Sequence, residues 1–126
     1  MCGIVGVVSR EPLELSYAID SLRRLEYRGY DSFGFATSDG FIKKYVGEIG
    51  KFEPPLLKSN VICCHTRWAT HGGVTVANAH PHSDCNGELF VVHNGIINNY
   101  KELKEELERY GHTFKSATDT EVISHF

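Results

Sequence analysis

The chain has 126 residues, 41% hydrophobic and 23% charged, with a formal net charge of −3. That composition fits one globular domain with an ordinary core and leaves little room for a second. A negative balance without a basic stripe argues against a nucleic-acid partner, and no apolar run approaches the ~18 residues of a membrane-spanning helix.

Residues 3–9 are apolar and valine-rich, and predict a buried first strand that starts with no basic leader before it. Leu15, Ala18, Ile19, Leu22 and Leu25 then recur at helical spacing, with Pro12 placed for the first turn. Residues 26–32 fit neither period. Residues 33–37 and 41–46 flank Ser38, Asp39 and Gly40, a hairpin signal. Residues 61–67 predict another strand, and residues 68–87 a long polar loop of the kind that is either functional or disordered. Residues 89–93 predict a strand ending at Asn94 and Gly95. Residues 101–110 form an amphipathic helix with Leu103, Leu107 and Tyr110 on its apolar stripe and Gly111 as its stop. A short strand at 113–115 and a helix capped by Thr118 or Asp119, with Glu121 as capping-box partner, follow. That helix has barely begun at Phe126, so the expectation is a domain that continues beyond it.

Four constellations carry chemistry. Cys2 follows Met1 directly, and a small second residue permits removal of Met1. Cys2 would then hold a thiol and a free α-amine, whose ordinary pKa of about 7.7–8.0 suits a base near neutral pH. Arg67, at a strand end beside Trp68, Thr70 and His71, can grip a carboxylate with two prongs. Asn94 and Gly95 offer a side-chain amide and a backbone N–H as oxyanion donors, although on spacing alone Asn-Gly favours a type I′ turn. Asp119 can pair with an ammonium or simply cap its helix. His80, His82 and Cys85 match no common zinc spacing, and no metal site is expected. Cys2, Cys63, Cys64 and Cys85 read as reduced thiols of a cytoplasmic protein, Cys63 and Cys64 facing opposite sides of one strand.

Taken together, these motifs resemble one family. The opening Met1, Cys2, Gly3, Ile4, Val5, Gly6 is similar to the start of class II glutamine amidotransferases. Residues 25–32, the Arg67 segment, residues 78–82, residues 92–97 and residues 118–121 resemble the glucosamine-6-phosphate synthase branch in particular. Phe33 stands where the branch usually has alanine, and Ala117 where it has glutamate.

The resemblance implies an α+β N-terminal-nucleophile fold, two antiparallel sheets packed between helices. It implies Cys2 as nucleophile, Asn94 and Gly95 as oxyanion donors, and Arg28 as a residue that orients Cys2. L-glutamine would be held by Arg67, Trp68, Thr70, His71 and Asp119, with no metal or organic cofactor. It further implies that fructose 6-phosphate is aminated through domains outside this chain, in a full-length homo-oligomer. Another sugar acceptor, or an inactive binding module, remains an alternative. The resemblance also implies a longer glutaminase domain with further strands; without them the isolated chain is expected to be marginally stable, prone to associate, and weak or inactive as a glutaminase.

Overall fold

The computed structural model describes residues 1–70 and 72–126. Four strands form one antiparallel sheet: β1 (Gly3–Glu14), β2 (Ser32–Thr37), β3 (Ile42–Val46) and β4 (Lys58–Arg67), in the order β1-β4-β2-β3. Two short strands, β5 (His82–Ser83) and β6 (Phe90–Val91), pair antiparallel as a separate ribbon. Among the described residues there are also three α-helices, α1 (Leu15–Arg23), α2 (Tyr100–Arg109) and α3 (Glu121–His125), and a 3₁₀ turn at Glu26–Arg28.

Side-chain alternation along the strands decides what covers each face. Phe33 and Phe35 of β2, and Ile62 and Cys64 of β4, point to one side, where α1 lays Leu15, Ala18, Ile19 and Leu22 against them. Phe33 stacks on Tyr45 at 5.0 Å and meets Phe52 edge-on, so the larger residue at this position fills core volume. Residues of opposite parity, His65 and Gly34 among them, face the other side. There the loop before β5 lies directly on the sheet, and a Cβ on Gly34 would run into the His80 and Lys43 carbonyl oxygens. The ribbon follows that loop and α3 packs outside the ribbon. The layers are therefore helix, sheet, ribbon and helix.

Several local expectations give way. The first strand is half-buried rather than buried: Ile4 and Val8 are exposed while Val5 and Val7 pack on the core. Pro12 lies in β1, where the pairing register slips between Val8 and Leu13, and not in the helix; an edge strand with an irregularity tolerates a residue without N–H. Residues 113–115 form no strand. On α2 no residue is fully buried and Tyr110 is exposed, so its amphipathic stripe covers little, although Gly111 takes the positive φ of a helix stop. The N-cap of α3 is Thr120, without a side-chain capping bond, because Thr118 and Asp119 are engaged elsewhere. Glu121 accepts instead from the Lys115 and Ser116 amides, both at 2.7 Å.

Candidate active site

Cys2 sits just before β1, and the Gly3 amide donates to Thr66 Oγ1 at 3.0 Å, pinning the start of the strand to β4. Arg28, in a 3₁₀ turn after α1, donates from Nε to the Cys2 carbonyl at 3.4 Å. The Trp68 amide points at Cys2 Sγ at 3.4 Å. From the far end of the chain, Asn94 Oδ1 accepts from the Cys2 backbone nitrogen at 3.0 Å. With its oxygen so engaged, the Asn94 amide leaves its NH₂ end free to donate.

A pocket of about 300 Å³ gathers these residues. Met1, Cys2, Arg67, Trp68, Thr70, Asn94, Gly95 and Asp119 all line it. Arg28 stands outside, acting on the Cys2 backbone. His71 lies outside the described residues. Arg67 is almost fully buried, and its guanidinium donates to the Gly73 carbonyl at 3.0 Å. Burial pulls its pKa down, and the nearby Cys2, Asp31 and Asp119 oppose that pull. Asp119 accepts from the Ile97 amide through Oδ2 at 2.8 Å, which leaves its other oxygen available. Asn94 and Gly95 both lack the positive φ that a type I′ turn demands, so the hairpin reading of this dipeptide fails. Gly95 instead lies against the His93 ring: a Cβ there would come within 2.7 Å of His93 Nε2 and push that ring aside.

Two buried histidines hold the residue ahead of that dipeptide. His65 Nε2 donates to the His93 carbonyl at 3.0 Å, and the His93 amide donates to His80 Nδ1 at 3.4 Å. The His93 ring in turn meets Thr120 Oγ1 at 3.2 Å, next to Asp119. His65 and His80 stack at 4.0 Å. Burial drives His65 down to about 4 and His82 down to about 3, and pulls His80 lower still. All three are neutral at physiological pH, as His80 must be to accept a hydrogen bond. This network was not visible in the sequence, where His80 and His82 stood out only as histidines without a common zinc spacing.

Asp31 also escaped notice. Its carboxylate accepts from the Ala69 amide at 2.7 Å and its own amide donates to the Arg67 carbonyl at 3.1 Å. Gly29 lies so close to the Arg67–Trp68 peptide that a Cβ would meet it at 2.7 Å. The 28–31 segment is thus a cradle for Arg67 and Trp68.

Residues 53–126 match the family model of the glutamine amidotransferase domain. The chain belongs to the glutamine amidotransferase family. It is 53% identical over 131 residues to glutamine–fructose-6-phosphate aminotransferase (isomerizing) of Methanothermobacter thermautotrophicus, covering 99% of this chain and 22% of that relative. It is 55% identical over 136 residues to the enzyme of the same name from Sulfurisphaera tokodaii, covering 99% and 23%. The chain therefore spans less than a quarter of these relatives' length. Among solved structures, glutamine phosphoribosylpyrophosphate amidotransferase from B. subtilis, complexed with ADP and GMP, superposes with a TM-score of 0.77 at 28% identity, over 99% of this chain and 28% of that one. The α+β layering is that of the N-terminal-nucleophile amidotransferases. No described helix is long and apolar enough to cross a membrane, and all four cysteines are free thiols.

Proposed function

We propose that this chain is the glutaminase part of an enzyme that transfers glutamine amide nitrogen to fructose 6-phosphate. The convergence of Cys2, Asn94, Gly95, Arg67 and Asp119 on one pocket carries the reading. Once Met1 is removed, the Cys2 α-amine takes the thiol proton and Sγ attacks the side-chain amide carbon of L-glutamine. The oxyanion forms against the Asn94 NH₂ and the Gly95 N–H. Its collapse breaks the C–N bond as the α-amine returns the proton to the leaving ammonia, and a thioester remains. Water attacks that thioester, and glutamate leaves with the thiol restored. Arg67 receives the α-carboxylate and Asp119 the α-ammonium, while Trp68 and Thr70 flank the substrate. Arg28 holds the Cys2 carbonyl and so fixes the nucleophile.

The sugar acceptor follows from the printed activity of the curated relatives, and belongs to domains outside this chain. Free thiols fit a cytoplasmic enzyme, and the full-length form is taken as a homo-oligomer. The glutaminase step uses protein groups alone. Coupled assay of glutamate and ammonia tests the reading: the two form in equal amounts from chain freed of Met1, and Cys2→Ala abolishes both. Unchanged release from Cys2→Ala would overturn it.

A further inference from the structure

Away from the glutamine pocket, Cys85 meets two histidines that lie far from it in sequence. Cys85 follows β5, His112 lies in the connector after α2, and His125 sits in α3. Cys85 Sγ is 3.7 Å from His112 Nδ1 and 3.4 Å from His125 Nδ1, and the two nitrogens are 3.3 Å apart. A tetrahedral zinc ion with ordinary bond lengths sets its ligands about 3.4 Å apart for two nitrogens and about 3.5 Å for nitrogen and sulfur. The triangle therefore has the edges of three corners of that tetrahedron. Hydrogen bonding explains it poorly, because a proton on any one of the three atoms can lie in line with only one of the other two.

The surroundings have the character of a metal's outer shell. Glu121 Oε1 lies 3.4 Å from His125 Nε2, both side chains almost fully buried. A carboxylate accepting from Nε2 fixes the tautomer that leaves Nδ1 with its lone pair toward Sγ. Glu121 is itself held by the Lys115 and Ser116 amides. The Thr113 amide donates to Cys85 Sγ at 3.5 Å. The Phe114 ring packs on His125 at 4.5 Å. Cys85 is exposed, which gives an entry path and a fourth corner open to solvent or another ligand. One thiolate and the Glu121 carboxylate supply two negative charges for a divalent ion.

We propose that Cys85, His112 and His125 bind a zinc-type divalent cation, a structural pin joining the ribbon, the α2–α3 connector and α3. Sequence spacing could not suggest it, since His80 and His82, the histidines nearest Cys85 in sequence, turn into the buried network instead. Cobalt(II) is the probe, added to metal-free, reduced protein. The experiment uses Cys2→Ser chain, because an N-terminal cysteine chelates metal by itself. One equivalent should bind with a thiolate-to-cobalt charge-transfer band and tetrahedral visible bands, and zinc should displace it. Cys85→Ser should abolish the charge-transfer band, and His112→Ala should weaken binding at least about tenfold. Neither residue is fully buried, so both variants keep the core, and matching circular dichroism and urea midpoints confirm it. A missing charge-transfer band in the parent, or parent-like cobalt binding in either folded variant, overturns the proposal.

Discussion

The backbone nitrogen of Cys2 donates to Asn94 Oδ1 at 3.0 Å, joining the start of the chain to a residue 92 positions later. The bond engages the Asn94 oxygen, so its NH₂ end is the one left to donate, as the proposed oxyanion role requires. Asn94→Ala should remove both the donor and this tether, lowering kcat for glutamine hydrolysis about 10²–10³-fold. Steady-state kinetics with KM read separately would check it; an effect confined to KM would contradict the oxyanion role.

Retained Met1 should block the site. Met1 lines the same pocket as Cys2, and its sulfur lies 3.7 Å from an Arg28 nitrogen. While Met1 stays attached, the Cys2 nitrogen is an amide and cannot act as a base. Intact-mass analysis separates the two forms, and only the form lacking Met1 should hydrolyse glutamine.

Arg67→Lys should raise the KM for glutamine about 10–100-fold, because lysine offers a point charge where guanidinium offers a fork. Asp119→Asn should act likewise through the ammonium. The arginine substitution also loosens the loop it holds at Gly73. The aspartate variant, which can still accept from the Ile97 amide, is therefore the cleaner measurement. An unchanged KM in both would remove these residues from substrate recognition.

Stability should fall in acid through the buried histidines. Their folded pKa values are depressed, so above about pH 6.5 both folded and unfolded chains hold them neutral and the contribution is constant. Below that, the unfolded chain binds protons that the folded chain refuses. Stability is then lost progressively down to about pH 4 for His65 and about pH 3 for His82. With His80 included, up to three protons give a slope near 4 kcal/mol per pH unit at its steepest, at about 1.4 per proton. Urea midpoints between pH 7 and pH 4.5 measure it; a flat profile would contradict the buried stack.

Gly34→Ala should destabilise the chain by about 3 kcal/mol or more, since its Cβ would press on two backbone carbonyls that cannot swing aside. Chemical denaturation would show the shift, and a change within about 0.5 kcal/mol would mean the loop before β5 does not sit on the sheet.

What could be read from the sequence was what local pattern encodes. The 33–46 hairpin, the helix carrying Leu15 to Leu22 and the strand ending at Arg67 follow from periodicity and turn chemistry. Cys2, Arg67, Asn94 and Asp119 were legible as chemistry-bearing types at element ends. Pro12 was misplaced because a proline near a helix start also suits an edge-strand irregularity, and only the pairing with β4 decides between them. Thr118 and Asp119 looked like caps because capping is local, whereas their partners His82 and Ile97 come from distant segments. The His65–His80–His93 relay and the Cys85 cluster were hidden for the same reason: their spacing exists only in three dimensions.

The central claim is that Cys2, with its own α-amine, is the nucleophile. The direct measurement is mass-spectrometric mapping of the chain, freed of Met1, after reaction with a diazo-ketone analogue of glutamine, which needs a single turnover. Cys2 should carry the label, glutamine should protect it, and Cys63, Cys64 and Cys85 should stay free. Cys64 is buried and burial pushes its thiol pKa up to about 12, so labelling there would require an unfolded chain. Glutamine-protected label on any of those three cysteines, with Cys2 unmodified, would contradict the account.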